Sequence, residues 1–158
     1  MFIFVMRHGE AVHTFNVDEH RPLTSRGDGQ SQKAARWLKR YQTSQNMTIS
    51  HALVSPFLRA QQTYQHIDHL LDIKFNQTAE DIVPSGDIHI AHDFVDAYCQ
   101  SSSPVSGLLL VSHMPFVSYF IDELCQSQMS RIFTTASIVC IDYDLSTSKG
   151  QLVAEFSP

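Results

Sequence analysis

Positive charge is scarce in this sequence. Eleven lysines and arginines stand against sixteen aspartates and glutamates, leaving a formal net charge of −5. Affinity for a nucleic-acid backbone rests on clustered cations, so that class of partner is not expected. No apolar stretch approaches the roughly twenty residues a membrane helix needs. No basic segment leads into the apolar core of a signal peptide, and Met1 runs straight into a strand-like segment, so the expectation is a cytoplasmic chain without a leader. Cysteine is also sparse: Cys99, Cys125 and Cys140 are odd in number and lack CxxC spacing, which favours reduced thiols over a disulfide framework or a zinc site. Internal repeats and low-complexity tracts are absent. What remains is an ordinary globular composition, 43% apolar and 17% charged over 158 residues, enough for one domain spanning 1–158 with its own core.

Strand and helix patterns alternate along the chain. Phe2-Ile3-Phe4-Val5-Met6 reads as a fully buried strand, and a polar connection from Ala11 to Arg26 follows, long enough to be functional. Ala34, Trp37, Leu38 and Tyr41 carry helical spacing over 27–41. A second strand is expected over 49–54. Ser55-Pro56 then has the form of a helix start, with a side-chain oxygen at the N-cap and proline in the first turn. Phe57, Ala60, Tyr64, Ile67 and Leu71 continue that helix. A short edge strand over 73–75, a helix capped by Asp87 and reaching about Tyr98, and a buried strand over 107–111 come next. Met114-Pro115 opens another helix, and runs 137–143 and 151–156 form an antiparallel hairpin. This order predicts a three-layer α/β/α sandwich around a mostly parallel sheet.

Three of these strands end in related chemistry. The first delivers Arg7-His8-Gly9-Glu10, the second Ser55-Pro56 with Arg59 one turn later, and the fourth His113. Parallel neighbours would open all three ends on one edge of the sheet, where α/β proteins bind ligands. Arginine offers a planar fork of donors to phosphate oxygens, and imidazole is a nucleophile toward phosphorus. Helix N-termini add backbone N–H groups that favour an anion, and Arg21 on the long loop can fold over the same place. The pattern predicts a phosphate site.

The ordered set Arg7-His8-Gly9-Glu10, Arg21-Pro22-Leu23-Thr24-x-x-Gly27, Val54-Ser55-Pro56-x-x-Arg59-Ala60-x-x-Thr63 and Val111-Ser112-His113 resembles the histidine phosphatase superfamily, of phosphoglycerate mutase-like fold, over residues 2 to 140. Phe57-Leu58-Arg59-Ala60, Pro84-x-Gly86-Asp87 and Phe133-Thr134-Thr135 resemble its small bacterial phosphohistidine phosphatases. The resemblance implies that His8 is the nucleophile, forming a covalent phosphohistidine. It also implies that Arg7, Arg59 and His113 hold the phosphoryl oxygens and that Arg21 is a fourth, loop-borne ligand. His8 is then expected neutral, its pKa lowered by the arginines, with its second ring nitrogen donating to a backbone carbonyl. His113 is expected to be protonated. No metal or other cofactor is implied, because the arginines carry the charge that a divalent cation carries elsewhere.

One departure bears on substrate. Family members acting on alkyl phosphates use a carboxylate as general acid, mid-chain or beside the second histidine. Here Met114 follows His113, and 82–86 holds no glutamate. An alkoxide leaving group needs a proton more than an imidazole does, so the expected substrate is phosphohistidine on a phosphotransfer or phosphocarrier protein, handled by a monomer. A small-molecule phosphomonoesterase or mutase, and a non-catalytic phosphate-binding module, are the competing readings. Asp18 and Glu80 are the remaining candidate carboxylates, Asp18 being better placed on the loop, and Ser55 is a candidate substrate contact. His66 with His69, and His89 with His92, lack the ligand sets of a structural zinc and are expected to be exposed. His51 is expected on a sheet face, His13 and His20 at the opening. Glu10 is expected to support Arg7 or the loop, Thr63 and Ser112 to satisfy neighbouring polar groups, and Trp37 and the phenylalanines to lie in the core.

Overall fold

The computed structural model describes residues 1–102, 104–128 and 132–158. Ten elements alternate along it: β1 (Phe2–Arg7), α1 (Ser25–Ser44), β2 (His51–Val54), α2 (Leu58–Leu71), β3 (Phe75–Thr78), α3 (Ile88–Ser101), β4 (Gly107–Ser112), α4 (Phe116–Cys125), β5 (Ile138–Asp144) and β6 (Lys149–Phe156). The six strands form one sheet in the order β3-β2-β4-β1-β5-β6. β3, β2, β4 and β1 run parallel, while β5 pairs antiparallel with both β1 and β6. The expected three-layer sandwich with a mostly parallel sheet is therefore what forms.

The period of two in β1 decides both cores. Ile3 and Val5 point toward α3 and α4, where they join Leu108, Leu110, Val95, Phe116 and Phe120. Phe4 and Met6 point the other way, toward α1 and α2, with Leu109, Val111, Leu38, Ala60 and Ile67. All four β1 side chains are at most 1% exposed, and each contributes roughly 1.5–3 kcal/mol by leaving water. The sheet edges differ in character. β3 is short, polar and exposed, a strand that invites no further pairing.

Several expected boundaries move. Thr24 caps α1 by accepting from Gly27 N–H (3.1 Å), and the helix runs from Ser25 to Ser44, beyond the expected 27–41. α2 begins at Leu58, and Ser55 is not its N-cap; the hydroxyl is engaged by His113 instead. α4 likewise begins at Phe116, after a cis Met114-Pro115 bond. The edge strand forms at Phe75–Thr78 rather than 73–75, because pairing with β2 fixes its register from His51 to Val54. Asp87 does cap α3, accepting from the N–H groups of His89 and Ile90.

A close approach fixes the turn after β1 against the first turn of α1. A Cβ on Gly9 would lie 2.7 Å from the Gly27 carbonyl oxygen, and one on Gly27 would strike the Glu10 carbonyl. Gly27→Ala, a change that favours an isolated helix by about 1 kcal/mol, is therefore expected to destabilise this protein by about 1–3 kcal/mol through overpacking. Urea unfolding checks this; an unchanged or raised midpoint would mean that the two backbones do not touch.

Candidate active site

The strands order the site. β2, β4 and β1 are consecutive parallel neighbours, so His113, Ser55 and the Arg7-His8 pair emerge on one edge. The turn after β1 is pinned on both sides: His8 N–H donates to Ser112 O, Arg7 N–H to Ser137 O, and Ala136 N–H to His8 O. Arg7, His8, Asp18, Arg21, Arg59 and His113 surround a single cavity of about 290 Å³. Ser55, fully buried, lies behind His113 rather than on the cavity wall. Glu80 lies outside, on a neighbouring groove with Glu19, Phe57 and Leu58.

His8 is 7% exposed. Its Nδ1–H donates to the Gly9 carbonyl at 2.6 Å, which leaves Nε2 with a lone pair that accepts from Arg59 Nε at 3.2 Å. Desolvation lowers its pKa most, and Arg59, Arg7 and Arg21 add to that against the Gly9 hydrogen bond, bringing it to about 3. The expected neutral imidazole is present, although burial outweighs the arginines as its cause. The ring of His113 lies 5.0 Å from that of His8. Burial first, then His8 and the arginines, push His113 down to about 2. This corrects the expectation of a protonated His113: the charged form loses its hydration here and gains no carboxylate in return.

Arg59 is 2% exposed and joins three parts of the chain. Beyond His8 it donates from Nη1 to the Asp18 carbonyl at 2.7 Å and from Nη2 to the Asp18 carboxylate at 3.1 Å. Phe57 stacks against the guanidinium (4.7 Å) and packs on His113, ring centroids 4.9 Å apart. Arg21 donates to the other Asp18 oxygen at 2.7 Å and to Val12 O at 2.9 Å. Partial burial works against ionisation of Asp18, but the charge and hydrogen bond of Arg59, with those of Arg21, hold its carboxyl below the usual range. An ionised carboxylate clamped by two arginines is no proton donor near neutral pH. Glu10 accepts from Thr24 Oγ1 (2.9 Å) and pairs with Arg26 (3.4 Å), supporting the loop and not Arg7. Arg7 donates from Nη1 to Phe133 O, while its buried Nε and the Nδ1 of His113 have no protein partner. Orphaned buried polar atoms are rare, and both belong to residues of this cavity.

Sequence reasoning missed several contributors. Phe57, Pro84, Met114 and Thr135 line or back the site, yet apolar and hydroxyl side chains outside a polar motif carry no chemical signal. Thr63 holds Gly9 N–H (3.0 Å) and donates to Arg59 O (2.7 Å), and Ser112 donates to Ile82 O, as expected of satisfied second partners. His51 is buried on β2, bonded to Ser50. His13 lines the cavity, and His20 is exposed. Among the remaining histidines, His92 is not exposed: it bonds Glu123 at 3.2 Å and the Tyr143 hydroxyl at 2.7 Å. His66 pairs with Asp28 at 2.9 Å. Trp37 is only half-buried, stacked between Tyr41 and Phe156, and Phe15 and Phe75 are exposed, so not all aromatics are core. No cluster of three metal-ligating side chains occurs among the described residues, and no helix among them is long and apolar enough to cross a membrane.

Burial of two neutral imidazoles has a measurable sign. Between about pH 3 and 6.5 the unfolded chain binds protons at these positions that the native chain refuses, so stability rises with pH across that window. Each histidine contributes a slope of up to about 1.4 kcal/mol per pH unit. Asp18, whose pKa is lowered from 3.8, contributes stability that is lost only below about that pH, under the range in which the midpoints are compared. The urea midpoint is expected to fall from pH 6.5 to 4.5, and less so in His8→Asn. Equal slopes for the two proteins would show that His8 is solvated.

A crossing of parallel strand ends that gathers an Arg-His-Gly turn, a helix-borne arginine and a second histidine defines a phosphoryl-binding enzyme class, and the chain belongs to the histidine phosphatase superfamily. The model of that superfamily, branch 1, matches residues 3–80. The phosphohistidine phosphatase SixA of Escherichia coli K12 is 36% identical over 149 residues, covering 92% of this chain and 88% of that protein. A SixA homolog from Haemophilus influenzae is 31% identical over 153 residues, 94% of this chain and 92% of that one. Among solved structures, the protein histidine phosphatase SixA complexed with tungstate superposes with a TM-score of 0.89 at 34% identity, covering 99% of this chain and 97% of that chain.

Proposed function

We propose that the protein is a phosphohistidine phosphatase that hydrolyses phosphohistidine on a phosphotransfer or phosphocarrier protein. In this reading His8 Nε2 attacks phosphorus, the P–N bond to the substrate imidazole breaks, and phosphoryl is held on His8. Water then attacks phosphorus, cleaving the new P–N bond and releasing orthophosphate. Arg7, Arg59 and His113 bind the phosphoryl oxygens and Arg21 closes the loop side. Asp18 acts through the arginines it orients, and Ser55 acts through His113. The two carboxylates of the cavity, Glu10 and Asp18, are both committed to ion pairs, which supports an imidazole leaving group over an alkoxide. The protein works as a cytoplasmic single-domain monomer.

The observation that carries this reading is the neutral His8 ring, fixed at Nδ1 by the Gly9 carbonyl and surrounded by three arginines. Parallel assays with a phosphohistidine protein and a panel of sugar phosphates test it. Turnover of the phosphoprotein is expected to dominate; faster ester hydrolysis would replace the reading with a small-molecule phosphatase. Phosphate binding with no acid-labile phosphoenzyme and no turnover would leave a binding module.

A further inference from the structure

Ser55 is a residue whose place in the chain is explained neither by helix capping nor by contact with the cavity. Its side chain is 0% exposed, so its hydroxyl proton needs an acceptor within the protein. The contacts of Oγ are the Phe57 N–H, a donor at 3.5 Å, and His113 Nε2 at 2.7 Å. Only the second can accept. On the opposite side of the imidazole, Nδ1 is buried and has no protein partner, and the ring lines the cavity beside His8, Arg7 and Arg59.

A neutral imidazole carries one proton, so two arrangements compete. With the proton on Nε2, that N–H donates to Ser55 Oγ. The serine proton is then left without an acceptor, and the buried Nδ1, on a ring that lines the cavity, carries a lone pair where an anion needs a donor. With the proton on Nδ1, the serine donates to Nε2 and a single N–H remains to be satisfied, by the ligand. The first arrangement strands two buried polar groups and repels an oxyanion. The second strands none once a phosphoryl oxygen is bound.

We infer that Ser55 is a positioning residue: its hydroxyl donates to Nε2 of His113 and fixes the ring proton on Nδ1, so that a neutral His113 presents an N–H to the phosphoryl group. The role in phosphoryl binding rests on the phosphatase reading; the tautomer does not. It also removes the need for the protonated His113 that the burial of the ring opposes.

Long-range proton–nitrogen correlation spectra of 15N-histidine-labelled protein test the inference, with the His113 signals assigned by their loss in His113→Gln. The native protein is expected to show a protonated Nδ1 and an unprotonated Nε2. Ser55→Ala is expected to shift the population toward Nε2–H and to weaken tungstate binding about tenfold, the loss of about one hydrogen bond to a charged group. Ser55→Thr, which keeps a hydroxyl, is expected to restore both. A native protein with Nε2–H, or a Ser55→Ala protein with an unchanged tautomer and unchanged tungstate affinity, overturns the assignment. Should either variant fail to fold, the native spectrum decides alone. A native protein with the Nδ1–H tautomer that releases no phosphate from a phosphohistidine protein would remove the phosphatase reading and leave the role of Ser55 standing.

Discussion

His8→Ala should abolish turnover, with a loss of about 10⁴-fold or more, the scale seen when a covalent catalyst loses its nucleophile. The fold should survive. The ring is buried, and it is held by one hydrogen bond from Nδ1 and one to Nε2. Losing that pair is expected to lower stability by about 1–3 kcal/mol at neutral pH, where the imidazole of the unfolded chain is largely neutral as well. Incubation with a 32P-phosphohistidine protein provides the sharpest readout. The native chain should acquire acid-labile, base-stable label and His8→Ala none. Labelling that persists in the variant would move the nucleophile elsewhere.

Arg59→Ala is expected to be the next most damaging change, for a different reason. One substitution removes a donor to His8 Nε2, two donors to Asp18 and the stacking partner of Phe57. Loss of a preorganised charged donor weakens stabilisation of the reacting group by about 10²–10³-fold, and vanadate or tungstate affinity should fall by about 100-fold. Arg59→Lys should recover little, since an ammonium cannot span His8 and Asp18 from one planar fork. Asp18 would also be left with Arg21 alone, so the loop should become more accessible to proteases. Calorimetric titration with tungstate and a limited-proteolysis time course separate the two effects. Native affinity in Arg59→Ala would exclude this guanidinium from the anion site.

Much of this arrangement was legible in the sequence because it depends on local pattern. Uninterrupted apolar runs in β1 and β4, helical spacing in α1 and α2, and polar residues at strand ends place Arg7, His8, Arg59 and His113 on one edge once the strands are taken as parallel neighbours. Ser55 shows where local reading fails. Ser-Pro has the form of a cap, but a hydrogen bond to a histidine 58 positions away takes the hydroxyl, and α2 starts later without a side-chain cap. The charge of His113 fails for a related reason. Burial sets it, and burial depends on Phe57, β1 and the loop closing around the ring. The commitment of Asp18 to two arginines was equally hidden, since residues 18, 21 and 59 meet only after folding. His92 escaped because its partners, Glu123 and Tyr143, come from α4 and β5.

The short stretch ahead of β5 has an implication for engineering. Phe133 supplies a carbonyl to Arg7, Ala136 an N–H to His8, and Ser137 a carbonyl to the Arg7 amide, so the C-terminal third is mated to the reactive turn by main-chain groups whose fit no side-chain signature records. A hybrid that takes residues 1–80 from one relative and the remainder from another would carry every hallmark side chain. It would nevertheless work only where that backbone seam closes in register, which makes 133–137 the junction to keep intact when such proteins are recombined.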